Sequence, residues 1–192
     1  MKLDDTQIML RVQDGQFALF DELVLRYREP LIRVARSKLG DLAWAEDVVQ
    51  ETFLAVFAAR HTFDAKFSFR TWLWTILLNL CRRQLKRKKN RPQEVSQSIL
   101  EAGRTIRLPE PACHETGLSR VLLSERRKQV AALLGKLPEV QADALRLRFY
   151  GGLKYAEIAR TMNCSLSGAK LRVRNGLSAL AKHLGNEEGE LP

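Results

Sequence analysis

The densest chemistry in this chain is cationic and aromatic rather than catalytic. Residues 81–91, CRRQLKRKKNR, hold seven Lys or Arg and no acid, and Phe63, Phe67, Phe69, Trp72 and Trp74 lie just before them. Cationic side chains beside aromatic faces are the ingredients of a surface for single-stranded nucleic acid, where stacking contributes about 1–3 kcal/mol per base. A basic helix end also complements the helix dipole, so the run taken alone reads equally well as a solvated terminus. The aromatic neighbourhood tips the reading toward nucleic acid. Trp72 and Trp74 are two positions apart, about 200° around a helix, so one is expected to pack and the other to be partly available. A second basic set, Lys170, Arg172 and Arg174 with Asn175, follows the tight turn Asn163-Cys164-Ser165.

Catalytic constellations are missing from the pattern. His61, His114 and His183 are scattered, and neither a Gly-rich phosphate loop nor a nucleophile elbow occurs. Cys113-His114 lacks a third ligand nearby, and Cys81, Cys113 and Cys164 form no CxxC pair, which argues against a zinc site and a disulfide framework. The expectation is a non-enzyme with no metal, no cofactor and no small-molecule substrate.

Composition agrees with a soluble helical protein that meets a polyanion. The chain has 192 residues, 45% of them hydrophobic, and 32 Lys plus Arg against 22 Asp plus Glu, a net charge of +10. Residues 1–80 are close to neutral at −1, and residues 119–184 carry +9. The excess therefore sits in two bodies separated by a weakly acidic stretch. The opening MKLDDTQIML turns acidic before an apolar segment could form, and no run reaches the roughly 18 apolar residues of a membrane span. With unpaired cysteines suited to a reducing compartment, the expectation is a cytoplasmic protein without membrane insertion.

The elements that would position these groups read as helices throughout. Asp4 or Asp5 caps a first helix to Gln13, and Asp14-Gly15 ends it. Phe17, Phe20, Leu23, Val24 and Tyr27 recur at helical steps and stop before Pro30, with a separate helix predicted over Leu31–Leu39. Asp41 caps the next segment, whose Ala45, Val48, Val49, Thr52, Phe53, Val56 and Phe57 form an inward face and Glu46, Asp47, Gln50 and Glu51 an outward acidic one. After the loop HTFDAKFSF comes FRTWLWTILLNLCRRQLKRKK, apolar first and basic at its end. Residues 91–117, with Pro92, Pro109, Pro111, Gly103 and Gly117, read as a linker. Pro138 opens a helix through Tyr150 with Leu145 and Phe149 inward, and Gly151-Gly152 stops it. A short helix Tyr155–Met162, a turn and a longer helix over about Leu166–Leu184 make a helix-turn-helix pattern. Ala169, Val173, Leu177 and Leu180 would face the core, and the basic residues would face out. The fold class is all-α, with two small helical domains at 1–90 and 118–185 joined by a flexible linker, and an acidic tail over 186–192.

Three segments together resemble the bacterial sigma factors of the extracytoplasmic-function class. They are AEDVVQETFLAVF at 45–57, FRTWLWTILLNLCRRQLKRKK at 69–89, and LPEVQADALRLRFYGGLKYAEIARTMNCS at 137–165 running into the basic helix. The resemblance implies a transcription initiation factor that binds core RNA polymerase through its clamp and flap, recognises the minus-10 and minus-35 promoter elements and helps melt DNA. It implies that Asp47, Gln50 and Glu51, with Glu46, dock on the polymerase clamp. His61, Phe63, Lys66, Phe67 and Ser68 would hold a flipped minus-10 base. Arg70, Trp72, Asn79, Arg82, Arg83 and Lys86 would line the strand or the duplex edge. Ser165, Ser167, Lys170, Leu171, Arg172, Arg174 and Asn175 would face the minus-35 duplex. An anti-sigma protein is a further implied partner.

Around the start of the recognition helix the chain reads Ser167-Gly168-Ala169-Lys170-Leu171-Arg172 where such factors carry Gly-Thr-Val-Lys/Arg-Ser-Arg, and Asn175 and Gly176 depart as well. This implies an altered minus-35 preference. The competing function is a stand-alone helix-turn-helix regulator, which would bind duplex DNA without polymerase.

Overall fold

The structure, a computed structural model, describes residues 3–90, 126 and 129–188, and all regular structure among them is helical. The predicted linker, Cys113 and His114 fall outside the described residues.

Helix α1 (Asp5–Gln13) starts where the Asp4 carboxylate accepts the Gln7 amide N–H at 2.8 Å and the Gln7 side chain accepts the Asp4 N–H at 3.1 Å, a reciprocal cap. Helix α2 spans Phe20–Leu39 without a break, which corrects the division expected at Pro30. A proline in a helix interior removes one backbone hydrogen bond and crowds the preceding turn, at about 3 kcal/mol. Buried Leu23 and Tyr27 before it and Leu31, Ile32, Val34 and Ala35 after it lie on one continuous apolar stripe, and burying that stripe outweighs the defect. Gly40, at φ +79°, takes the left-handed conformation that closes the helix.

Helix α3 (Leu42–Ala58) is capped by Asp41, whose carboxylate accepts the Trp44 N–H at 2.9 Å. Helix α4 (Phe69–Asn90) lies against α2 and α3. Its Phe69, Leu73, Trp74, Leu77, Leu78 and Cys81 are buried with Val48, Val49, Phe53 and Val56 of α3 in one core.

A helical segment over 129–135 precedes the C-terminal helices α5 (Glu139–Phe149), α6 (Tyr155–Thr161) and α7 (Leu166–Glu188). Helix α7 packs on α5 and α6, and α6 turns into it through Asn163, the one described non-glycine residue with positive φ. Three expectations are corrected here. Phe149 is 61% exposed and Leu177 45% exposed rather than inward, and at Leu177 it is the adjacent Gly176 that meets Leu145 of α5. A Cβ at Gly176 would lie 2.8 Å from Leu145 Cδ1, so the missing side chain sets the close approach and turns Leu177 outward. The last helix also continues past Leu184 to Glu188, taking in the start of the predicted tail.

Candidate polymerase and nucleic-acid interfaces

The outward face of α3 is built as its periodicity predicts. Asp47 and Gln50 are exposed, and Glu46 and Glu51 are half-buried. Glu46 lies 3.6 Å from Arg28 on α2, and Glu51 pairs with Arg83 on α4. Beside this face α2 and α3 leave an open groove of about 480 Å³, floored by Phe20, Val24, Val49 and Phe53 and rimmed by Arg28, Glu46, Gln50 and Leu54. Leu54, 63% exposed, lines the edge of this groove, and sequence reasoning missed it. Its apolar side chain in an otherwise polar outward row was the signal. An apolar trough with a charged rim suits a helical protein partner.

The loop between α3 and α4 is fixed from below. The Gln13 side-chain amide of α1 donates to the carbonyls of Arg60 (2.7 Å) and Phe63 (2.9 Å), and the Arg60 guanidinium stacks over Phe57 and Phe17. Phe63 and Phe69 are buried, and Phe63 sits 5.4 Å from Trp72 and 5.9 Å from Phe69 between ring centroids. Of the loop's aromatics only Phe67 stands free, at 65% exposure, between exposed Lys66 and half-buried Ser68 in the chain, and His61 is exposed earlier in the loop. Phe63, expected among the base-contacting residues, supports that surface from the core. Trp74 is fully buried and Trp72 half-buried, the division predicted from their spacing. Along α4, Asn79, Arg82, Arg83 and Lys86 are exposed on one face, and Arg70 is half-buried on the opposite side, where it meets Gly151, Gly152 and Glu157. A planar ring ready to stack beside fixed cations is a surface for an unpaired base and its backbone.

In the helix-turn-helix, Ser165 caps α7, its hydroxyl accepting the Gly168 N–H at 3.0 Å and lying 3.1 Å from the Ser167 hydroxyl. Ser167, Lys170, Leu171, Arg174 and Asn175 are exposed, and Arg172 is half-buried. Ser167, Lys170, Leu171 and Arg174 share one face of the first two turns, the part of a recognition helix that enters a major groove. At Gly168 a Cβ would lie 3.1 Å from the capping Ser165 oxygen, which gives that glycine a local reason.

Sequence reasoning also missed a charged cluster where α2 and α4 meet α5. The Lys38 ammonium donates to Asp143 (2.7 and 2.9 Å) and Glu139 (2.6 Å), and the side chains of Lys38 and Asp143 are each 1% exposed. Arg146 reaches Asp143 at 3.1 Å and Arg82 reaches it at 3.5 Å. The hydrogen bond from Lys38, with its charge, holds the Glu139 carboxyl below the usual carboxylate range. Burial pushes the neighbouring Cys81 thiol up to about 12, so it is no nucleophile or thiolate ligand at neutral pH. Among the described residues no group of three or more His, Cys, Asp or Glu could hold a metal ion, and no helix is long and apolar enough to cross a membrane.

Comparison with known proteins matches both bodies. Residues 23–91 fit the sequence profile of Sigma-70 region 2 and residues 127–180 that of Sigma-70, region 4. The chain is 30% identical over 188 residues to the RNA polymerase sigma-H factor of Pseudomonas aeruginosa, covering 94% of this chain and 93% of that protein. It is 29% identical over 188 residues to the ECF RNA polymerase sigma-E factor of Escherichia coli strain K12, with 93% of each covered. The sigma factor RpoE of Bartonella quintana, solved with the anti-sigma factor NepR, superposes with a TM-score of 0.62 at 25% identity, over 86% of this chain and 96% of that one. CnrH, solved with the cytosolic domain of CnrY, shares the fold with a TM-score of 0.72 at 24% identity, over 95% of this chain and 97% of that one.

Proposed function

The chain belongs to the sigma-70 family as an extracytoplasmic-function sigma factor, a family of transcription initiation factors, and from that premise we propose how its surfaces divide the work of directing RNA polymerase to promoters. Residues 1–90 act as region 2 and residues 118–185 as region 4. The groove between α2 and α3, with Glu46, Asp47, Gln50 and Glu51 on and beside its rim and Leu54 at its edge, takes a helical element of core polymerase. Apolar burial in the trough supplies affinity, and the rim charges fix orientation.

Melting then needs no catalyst. An AT-rich step is the least costly to unstack, and Phe67 offers a ring on which the exposed base stacks while Lys66, Arg70, Arg83 and Lys86 neutralise the strand. His61, Ser68 and Trp72 belong to the same surface, and Phe63 supports it from the core. Asn79 and Arg82 continue the surface toward the duplex edge. Region 4 inserts the start of α7 into the upstream duplex. Lys170, Arg172 and Arg174 reach phosphates or base edges, and Ser165, Ser167, Leu171 and Asn175 complete the reading face. An anti-sigma protein covering the groove would hold the factor in reserve, as NepR binds its own sigma factor. Work in the bacterial cytoplasm follows from this role.

The observation that carries the proposal is the pairing, on one bundle, of an apolar groove beside the acidic face of α3 with a separate aromatic and basic surface: one face for protein and one for DNA. Sedimentation with purified core RNA polymerase tests it. The chain is expected to co-sediment with core enzyme, and Leu54→Glu to weaken that binding about tenfold, which corresponds to about 1.4 kcal/mol. Wild-type protein that is folded and does not associate with core enzyme would refute the assignment. A stand-alone regulator is not favoured, since the region 2 body has no part in such a function.

A further inference from the structure

Helix α1 carries none of the residues assigned to polymerase or to DNA, yet its last residue holds the base-capturing loop. Ile8, Met9 and Val12 are fully enclosed and dock α1 on the bundle by apolar burial. Gln13 is half-buried beside them and has a different use. Its amide nitrogen donates to the Arg60 carbonyl at 2.7 Å and to the Phe63 carbonyl at 2.9 Å, residues 47 and 50 positions further along the chain. Both protons of one amide are thus committed to the backbone at the start and just past the end of the Arg60–Thr62 turn.

The same stretch is tied down by its neighbours. The Phe63 N–H donates to the Arg60 carbonyl at 3.2 Å, and the Thr62 hydroxyl donates to the Ala59 carbonyl at 2.8 Å. The Arg60 guanidinium lies over the rings of Phe17 and Phe57 and donates to the Phe57 carbonyl at 2.9 Å. The backbone up to Phe63 is therefore fixed from the side of α1.

Asp64 passes that fixed point on to Phe67. It is the one acid among residues 61–68, and a free carboxylate there would repel a phosphate strand. Its groups are engaged within the loop instead: Oδ1 accepts the Lys66 N–H at 2.9 Å, and the backbone carbonyl accepts the Phe67 N–H at 2.9 Å. A side-chain turn of this kind sets the direction in which the next residues leave. The route from the Gln13 amide to the exposed Phe67 ring runs through the Phe63 carbonyl and this turn, with the Phe63 ring held in the core. Placement matters because a reacting or stacking group displaced by about 1 Å loses much of the interaction it was to make.

We propose that Gln13 is a positioning residue for promoter melting: acting through the Phe63 carbonyl and the Asp64 turn, it holds Phe67 where an unpaired base can stack. Gln13 itself does not touch DNA. Its two hydrogen bonds order the loop before the base arrives, so the stacking gain is opposed by unpairing and not by loop ordering as well. The inference rests on the reading of Phe67 as a stacking platform under the sigma-factor assignment, and on the contacts themselves for the hold.

Run-off transcription by holoenzyme, reconstituted from the full chain and core RNA polymerase, tests it on two templates. One is a duplex promoter from which the wild type initiates. The other is the same promoter with its minus-10 element made non-complementary, so that no unpairing is needed. Gln13→Glu keeps the shape of the side chain and replaces the donating nitrogen by a carboxylate oxygen facing two carbonyls. Gln13→Ala removes the group. Both variants are expected to initiate about tenfold less on the duplex promoter and to recover to within about twofold of the wild type on the premelted one. A side chain that only fills space would leave Gln13→Glu like the wild type, and one that only supports folding would lower both templates alike. Either result overturns the proposal. Asp64→Ala, at an exposed site outside the core, breaks the next link and serves as the test if a Gln13 variant loses its helicity by circular dichroism. It is expected to show the same split between templates, while Asp64→Asn, which keeps the accepting oxygen, retains initiation on the duplex. Wild-type initiation on the duplex by Asp64→Ala also overturns the proposal. Initiation by the wild type reads the sigma-factor assignment separately, so failure of one is distinguishable from failure of the other.

Discussion

The N-terminal bundle and the C-terminal helix-turn-helix use their side chains in opposite ways. In the bundle, aromatic and branched residues fill the core, with Phe69 and Trp74 enclosed, and the groove between α2 and α3 is floored by core residues such as Val49 and Phe53. The helix-turn-helix has an aliphatic core without aromatics, Leu145, Leu147, Leu153 and Ile158 with Ala142, Ala144, Ala169 and Val173, and buries Asp143 and Arg146 where it meets Lys38 of its neighbour. The two cores meet where Trp74 abuts Gly151, and the smaller unit adds charged contacts to its neighbour through Asp143 and Arg146.

The largest way to test that contrast is Trp74→Ala. It empties the bundle core and the contact with Gly151 together, and is expected to destabilise the protein by about 3–5 kcal/mol in a urea titration followed by circular dichroism. In the other unit, Gly176→Val drives a side chain into Leu145 and is expected to cost about 1–3 kcal/mol, read as earlier loss of α7 amide protection in hydrogen exchange while the bundle's protection is retained. Ser165→Ala removes the cap of α7 and should lower stability by about 1 kcal/mol, with weaker binding of upstream duplex DNA.

The smallest effect concerns the boundary between the units. Glu139 has its carboxyl held below the usual range, so its contribution is present above ordinary carboxylate pKa values and is lost as pH falls through the lowered one. Lys38, Arg82 and Arg146 all face that site, with Asp143 sharing it. Acidification from neutrality is therefore expected to loosen the two bodies before either unfolds, visible as a rise in radius of gyration that precedes loss of helicity. Unfolding in one step with no prior expansion would contradict this.

How much of this was legible in the sequence follows from the range of each interaction. Caps at Asp4 and Asp41, the inward face of α3 and the division between Trp72 and Trp74 depend on neighbours within a turn or two, and all were readable. Pro30 misled because local propensity forecasts a break that a tertiary stripe overrides. Phe149 and Leu177 misled because helical period alone does not say which flank of an apolar stripe meets the partner, and at Leu177 the neighbouring Gly176 decided it. The Lys38–Asp143 pair joins residues 105 apart in the chain, and one sequence carries no signal at that separation. The candidate surfaces were readable as residue types. Their separation into a protein-binding groove and a DNA-binding face was not, because the groove exists only once α2 and α3 are packed.

Run-off transcription with purified core RNA polymerase and a library of genomic promoters tests the central claim most directly. The account predicts initiation at a defined subset of promoters that depends on both this chain and core enzyme, with little duplex binding by the chain alone. No initiation from folded protein, or sequence-specific duplex binding that polymerase leaves unchanged, would contradict it.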